Sequence, residues 1–179
     1  MKLKLTLLFL AVAVAVSLFI FNSSFLKVSD PQGSALVIAE LKTKDVIKFF
    51  DTNSWVDYQD QEIKFNVAEK LEKKAVYIHI WASWCAPCLN EIPELITYAR
   101  KNKSRVQFIV VSLDESNEAL VKFLKSFPEL KDPMFIQVWD KNVVISRKLN
   151  ADRLPMTVFI PADGGQLKTM RSVVDWRAI

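Results

Sequence analysis

Two cysteines, Cys85 and Cys88, are the residues of this 179-residue chain best suited to carry chemistry, and no other cysteine occurs in it. Two residues separate them, a spacing that permits a disulfide, a shared metal ion or reversible thiol chemistry. A closed zinc site needs about four ligands, and the chain has one histidine, His79. A bridge closing so short a loop contributes at most about 2 kcal/mol in loop-entropy terms. The pair therefore favours reversible thiol–disulfide exchange.

The flanking sequence predicts a buried strand before the pair and a helix after it. The run 75–81 is almost wholly apolar and rich in β-branched and aromatic residues, as in a strand covered on both faces. From Pro87 onward, apolar residues recur three and four positions apart, which is typical of a helix. Free N–H groups and the helix dipole at such a position favour a thiolate. The dipole alone supplies about 0.3–1 kcal/mol, so hydrogen bonds to the sulfur must add to it. We expect Cys85 to be the nucleophile and Cys88, one turn later, the resolving thiol.

The motif resembles a known family. The sequence Trp-Ala-Ser-Trp-Cys-Ala-Pro-Cys, followed by Glu91 and Pro93, resembles the thioredoxin superfamily and, within it, the TlpA/ResA/DsbE-like membrane-associated thiol-disulfide oxidoreductases. The segment Leu154-Pro155-Met156-Thr157 resembles the cis-proline segment of that family, which opens a strand beside the active site. An X-Pro bond needs only about 0.5–1 kcal/mol to become cis. The resemblance runs from residue 64 to residue 174.

This resemblance implies a fold and a substrate surface. The expected fold is α/β, a thioredoxin-like three-layer sandwich whose mixed central sheet is flanked by helices, with an N-terminal hairpin extension. In the family the cis-proline faces the disulfide and the backbone before it pairs with substrate. We therefore expect a substrate surface formed by the residues around the cysteines and before the proline: Trp84, Ala86, Pro87, Leu154 and Pro155.

Two further residues have both a catalytic and an ordinary interpretation. In the resembled family, a glutamate at the position of Glu91 is a candidate proton acceptor for the resolving thiol; on a surface helix turn it would only complement the dipole. His79 stands where thioredoxin has a buried acid. A histidine can relay protons near neutral pH, although a lone buried histidine is more often a core residue. The chain also departs from the family, with Arg153 where many relatives have glycine and Pro161 where they have aspartate.

The remaining pattern predicts the order of a thioredoxin-like domain over residues 45–179. Residues 34–50 allow either a helix or the start of a strand. The last residues after 174 are too few for the helix that normally covers the sheet, so something else must cover it or the last strand stays partly open. Strands are predicted at 62–67, 106–113, 134–139, 157–160 and 166–174, and helical segments at 67–74, 116–127, with Ser116 as N-cap, and 142–150.

The N-terminus predicts a location outside the cytoplasm. Lys2 and Lys4 precede seventeen uncharged, mostly apolar residues, 5–21, about 25 Å as a helix against about 30 Å of hydrocarbon. Residues 1–26 therefore form a membrane anchor or a signal peptide, with a retained anchor over 5–26 favoured, and 27–44 a linker. Basic residues before the apolar run leave the catalytic part extracytoplasmic, either periplasmic or at the outer face of the cytoplasmic membrane, where disulfides persist.

The sequence thus predicts an extracytoplasmic thiol-disulfide oxidoreductase that needs no cofactor or metal beyond its own redox-active disulfide. Resemblance to cytochrome c maturation proteins implies a reductase of protein disulfides, acting on apocytochrome c or similar thiol pairs and re-reduced by a membrane thiol donor. A disulfide oxidase, or a binding or chaperone module with idle cysteines, remains the alternative. The excess of 24 Lys and Arg over 20 Asp and Glu is too small to indicate nucleic-acid binding.

Overall fold

A five-stranded mixed sheet forms the centre of the molecule. The structure, a computed structural model, describes residues 41–179; the predicted anchor and nearly all of the predicted linker lie outside the described residues. The elements, in chain order, are α1 Thr43–Thr52, β1 Trp55–Val56, β2 Glu62–Ile63, α2 Val67–Leu71, β3 Ala75–Trp81, α3 Ala86–Lys101, β4 Val106–Ser112, α4 Asn117–Ser126, a 3₁₀ turn Pro128–Lys131, β5 Phe135–Trp139, α5 Val144–Lys148, β6 Met156–Ile160 and β7 Lys168–Met170.

The strands are ordered β5-β4-β3-β6-β7 across the sheet. The pairs β3–β4 and β4–β5 are parallel, whereas β3–β6 and β6–β7 are antiparallel. This confirms the predicted mixed sheet, with the strand that precedes the cysteines at its centre. The short strands β1 and β2 pair with each other in an antiparallel hairpin, as the resemblance implied.

Two apolar cores, one on each face of the sheet, make the fold a three-layer sandwich. Successive residues of β3 point to opposite faces, so Tyr77 and Trp81 join one core while Val76, Ile78 and Ile80 join the other. The first core includes the buried faces of α3 and α4. The second includes those of α1, α2 and α5. The predicted fold class is thereby confirmed.

Local hydrogen bonds account for several boundaries that differ from those predicted. The ambiguous stretch before residue 50 is helical in α1, where Val46 and Phe50 are buried. The strand predicted over 62–67 is shorter and ends at Ile63, and α2 begins at Val67, where the side chain of Asn66 caps it by accepting from the N–H of Glu69. The side chain of Asp140 accepts from the first N–H groups of α5, which therefore begins at residue 144 rather than 142.

The last residues cover part of the sheet without forming a helix. In the segment 171–179, Val174 and Trp176 are buried. The indole ring of Trp176 lies 5.5 Å from the rings of Tyr77 and Phe108 and 5.4 Å from that of Tyr98, centroid to centroid. Trp176 thus packs over this part of the sheet. Among residues 41–179, no helix is both long and apolar enough to cross a membrane.

Candidate active site

The cysteine pair lies at the junction of β3 and α3. Cys85 is the N-cap residue of α3, and its sulfur accepts a hydrogen bond from the backbone N–H of Cys88 at 3.3 Å. The two sulfurs form a disulfide with an S–S distance of 2.06 Å. Cys85 is 6% exposed and Cys88 is fully buried. The pair therefore lies at the strand–helix junction that the sequence predicted, and Cys85 is the more exposed of the two residues.

An open groove of about 560 Å³ leads to Cys85. Trp84 is 65% exposed, which is unusual for so large an apolar side chain. The wall of the groove is mostly apolar, with Asp152 and Arg153 as its charged side chains. Four of the five predicted surface residues, all except Pro155, line this groove, together with Arg153, at which the chain departs from the resembled family, and three residues that the sequence did not single out. The complete lining is Trp84, Cys85, Ala86, Pro87, Leu113, Ala151, Asp152, Arg153 and Leu154.

The peptide bond between Leu154 and Pro155 is cis, as the resemblance implied. Pro155 is buried and immediately precedes β6. Because Met156 of β6 pairs with Ile80 of β3, the segment before the proline lies beside the end of β3 that leads into the cysteine motif. This register is why Leu154 and Cys85, far apart in sequence, line the same groove.

A buried carboxylate that sequence reasoning missed holds the loop between β3 and α3. Asp114 is 2% exposed. One of its oxygens, Oδ1, accepts from the hydroxyl of Ser83 at 2.6 Å and from the Ser83 backbone N–H at 3.0 Å. The other accepts from the hydroxyl of Ser112 at 2.6 Å. The side chain thus ties the end of β4 to the residue two positions before Cys85. In the sequence, this Asp directly follows a predicted buried strand and has a serine two positions away on either side. Which serines it bonds depends on the fold.

Glu91 is not on the surface. It lies on the buried face of α3, one turn after Cys88, and is 2% exposed. Its Oε2 accepts from the backbone N–H of Val174 at 3.3 Å, and its Oε1 accepts from the indole N–H of Trp176 at 3.1 Å. Burial raises the pKa of Glu91 from 4.5 to about 7, although the two hydrogen bonds act in the opposite direction. The interpretation as an exposed first-turn glutamate is therefore wrong, and Glu91 has the proton affinity that suits exchange near neutral pH.

His79 lies in the core of the sheet next to Glu91. Its Nδ1 is 3.0 Å from the hydroxyl of Thr157 on β6 and 3.7 Å from Oε1 of Glu91. Burial lowers the pKa of His79 to about 3. The imidazole is therefore neutral at physiological pH, and its contact with Glu91 is not an ion pair. Its proton-relay role stays a prediction, and in the neutral form it would act by hydrogen bonding rather than by charge.

Comparison with known proteins places this geometry in a family. The Redoxin family model matches residues 41–175, which include the cysteines, Glu91 and the cis-proline segment. The chain belongs to the redoxin family. A relative, the thiol-disulfide oxidoreductase ResA of Oceanobacillus iheyensis, is 28% identical over 153 residues, covering 82% of this chain and 77% of that protein. ResA of Bacillus cereus is 32% identical over 106 residues, 59% of either chain.

Solved structures with the same fold are more distant in sequence. A secreted Mycobacterium tuberculosis disulfide oxidoreductase homologous to Escherichia coli DsbE superposes with a TM-score of 0.60 at 20% identity, over 73% of this chain and 92% of that one. A DsbE-type protein described for Chlorobium tepidum gives 0.56 at 22% identity, over 69% of this chain and 82% of that one. These structures confirm the thioredoxin-like fold.

The enzyme class follows from the family, the ResA relatives and the cysteine pair together. The redoxin match spans the motif, and the two cysteines form the disulfide that thiol–disulfide exchange makes and breaks. The protein is a thiol-disulfide oxidoreductase. This confirms the predicted class and leaves the direction of the reaction, the substrate and the location to be considered.

Proposed function

We propose that this protein reduces disulfides of other proteins on the outer side of the cytoplasmic membrane. The observation that carries the proposed exchange is the contrast between its two cysteines: Cys85 borders an open groove, while Cys88 is fully buried. Such an arrangement lets one sulfur meet a protein substrate and keeps the second in reserve to release it. The reducing direction is proposed from the resemblance to cytochrome c maturation proteins. The exposed Trp84 and the neighbouring Leu154 provide apolar contacts for a peptide at the groove.

In the first step the reduced protein captures the substrate. The Cys85 thiolate attacks one sulfur of the substrate disulfide, a mixed disulfide forms, and the other substrate sulfur leaves as a thiolate. The backbone N–H of Cys88 donates to the Cys85 sulfur in the oxidised protein. It is one of the hydrogen bonds needed, in addition to the helix dipole, to stabilise the Cys85 thiolate.

In the second step Cys88 releases the substrate. The Cys88 thiol gives up its proton and attacks the Cys85 sulfur, the mixed disulfide breaks, and the second substrate sulfur leaves as a thiolate. Two electrons have then passed from the cysteine pair to the substrate, and the Cys85–Cys88 disulfide has formed. Glu91, on the same helix face one turn later, accepts the Cys88 proton; its pKa of about 7 leaves it partly ionised near neutral pH.

The reduction potential of the pair tests the direction of the reaction. Equilibration of the protein with glutathione or dithiothreitol buffers, read by Trp fluorescence or thiol alkylation, gives this potential directly. We expect a value below about −250 mV, as for a reductant. A value near about −120 mV would mean that the protein is an oxidase, and the proposed direction would then be wrong.

The proposed partners and location come from the sequence and the relatives. The resemblance to cytochrome c maturation proteins supports apocytochrome c as a substrate and a membrane thiol donor as the source of electrons. The apolar residues 5–26 support an anchor, and one structural neighbour is described as secreted. In intact cells grown with a thiol reductant, a membrane-impermeant maleimide should label Cys85. Labelling that appears only after lysis would contradict this location.

A further inference from the structure

The carboxyl group of Glu91 is held by the C-terminal segment rather than by its own helix. Both of its hydrogen bonds come from this segment, one from the backbone N–H of Val174 and one from the indole N–H of Trp176. These contacts link positions 83 and 85 residues apart in sequence. No residue of β3 or α3 donates to this carboxyl group within the part of the chain that the structure describes.

We propose that Trp176 is a positioning residue for Glu91, whose indole N–H holds the carboxyl group at the buried face of α3 while its ring keeps water away. The C-terminal segment would then set how readily Glu91 exchanges a proton with Cys88. This inference rests on the proposed function, in which Glu91 accepts that proton. It adds a residue far from the cysteine motif to the machinery of the second step.

Packing against neighbouring aromatic rings fixes the position of the Trp176 side chain. It is 2% exposed, and its ring contacts those of Tyr77, Tyr98 and Phe108. The ring of His79 lies 6.3 Å away. Four aromatic neighbours from β3, β4 and α3 leave the indole little freedom to rotate, so its N–H stays directed at Glu91. A carboxyl group with a fixed donor keeps its orientation through proton gain and loss.

The ring and the N–H of Trp176 act on Glu91 in opposite directions. The ring covers the carboxyl group and so disfavours its charged form, whereas the N–H donates to that charged form and favours it. The raised pKa of Glu91 shows that burial outweighs the hydrogen bonds. Removing only the N–H takes away a contact that favours the charged form and should raise the pKa further, whereas removing the ring should admit water to the carboxyl group and lower the pKa by more than the lost N–H raises it. No purely structural role of Trp176 predicts opposite shifts.

Other charges around Glu91 are few and partly offset one another. The neutral imidazole of His79 contributes no charge, and Glu94 raises the pKa of Glu91 by like-charge repulsion. Arg177 lies 3.4 Å from Glu94 and 3.6 Å from Asp175, but it is mostly exposed and therefore screened. The ionisable groups near Glu91 or Trp176 are His79 and Tyr77 on β3, Cys88, Glu94, Tyr98 and Lys101 on α3, and Asp175 and Arg177 in the C-terminal segment.

The test compares Trp176→Phe, which keeps an aromatic cover but loses the N–H, with Trp176→Ala, which loses both. The pKa of Glu91 is read in the oxidised full-length protein from its carboxyl ¹³C shift or infrared band against pH. We expect an increase of roughly one unit in Trp176→Phe, as for loss of one hydrogen bond to a charged group. We expect a decrease toward the ordinary value in Trp176→Ala. The pH profile of substrate release in single turnovers should move in the same directions.

Trp55→Phe is the matched control. Trp55 is also buried and also donates its indole N–H, to the carbonyl of Phe50 in the opposite core. Its replacement should change stability but not the pKa of Glu91. Unchanged pKa values in both Trp176 variants, or shifts in the same direction, would overturn the inference. If Trp176→Ala does not fold, the pKa of Glu91 in Trp176→Phe, compared with that in Trp55→Phe, is sufficient to test the inference.

The outcomes separate this inference from the proposed function. Opposite pKa shifts in a protein that reduces no disulfide would leave the control of Glu91 intact and remove the reductase proposal. If the protein is an active reductase but the pKa of Glu91 is the same in the wild type and in the Trp176 variants, the proposed function stands and the role of Trp176 is wrong.

Discussion

Two carboxyl groups, Asp114 and Glu91, lie on either side of the active-site loop, equally buried and differently supported. Asp114 accepts hydrogen bonds of 2.6 Å from two serine hydroxyls, and the backbone N–H of Ser83 lies 3.0 Å from its Oδ1 and 3.3 Å from its Oδ2. Glu91 accepts only two, at 3.1 and 3.3 Å, and its pKa rises to about 7. The short hydroxyl bonds of Asp114 suit it to anchor the chain, whereas the longer hydrogen bonds of Glu91 leave burial as the larger influence on its pKa.

Replacing Glu91 should give the largest change in how stability depends on pH. Because folding raises the pKa of Glu91 from 4.5 to about 7, its contribution is complete below pH 4.5 and is lost as the pH rises to 7. The shift corresponds to about 3 kcal/mol. His79 acts oppositely, since its lowered pKa makes stability rise between pH 3 and 6.5. The two effects oppose each other between pH 4.5 and 6.5.

In Glu91→Gln, only the effect of His79 should remain. The difference in unfolding free energy between the wild type and Glu91→Gln should therefore change by about 3 kcal/mol from pH 4.5 to pH 7.5 in favour of the variant. Urea unfolding of the oxidised proteins across this range measures it. Glu118→Gln, in the first turn of α4 and exposed, is the control. A difference that does not vary with pH would show that Glu91 is not a titrating group.

Replacing Asp114 should lower stability by loosening the active-site loop. Asp114→Asn leaves an amide facing hydroxyl and N–H donors in a buried position, and we expect a loss of about 2 kcal/mol. The loop carrying Cys85 should also become more mobile, seen as faster amide hydrogen exchange at residues 82–85. Equal stability of variant and wild type would show that Asp114 is not the anchor of this loop.

Ser83→Ala should give the smallest effect of the series. It removes one of the two short hydroxyl bonds to Asp114 and leaves the backbone N–H bond of residue 83 in place, so a loss of about 1 kcal/mol is expected. Ser112→Ala, which removes the other hydroxyl bond without touching the active-site loop, serves as the comparison. Only Ser83→Ala should speed hydrogen exchange at residues 82–85. The same exchange rates in both variants would contradict this division of roles.

The parts of the site that the sequence could predict are those determined by local pattern. The cysteine spacing, the apolar run of β3, the periodicity of α3 and the proline before β6 each lie within a short stretch of chain. Those stretches carry the central sheet and the groove. Together with the resemblance they were sufficient for the fold class and for the enzyme class.

The parts that could not be predicted depend on contacts between distant segments. Trp176 lies in a C-terminal segment without periodicity, and its hydrogen bond to Glu91 spans 85 residues. Asp114 and Ser83 are 31 residues apart, and no sequence pattern around either residue indicates their contact. The stretch that forms α1 stayed ambiguous because its helical state depends on burying Val46 and Phe50 against the sheet.

The covalent capture of substrate tests most directly whether Cys85 attacks and Cys88 releases. A Cys88→Ala variant, expressed in its native compartment and alkylated on lysis, should retain substrate proteins as mixed disulfides on Cys85 that dithiothreitol releases. The Cys85→Ala variant, with the buried Cys88 as its remaining thiol, should retain far fewer. No captured protein on Cys88→Ala, or equal capture by both variants, would contradict the exchange mechanism.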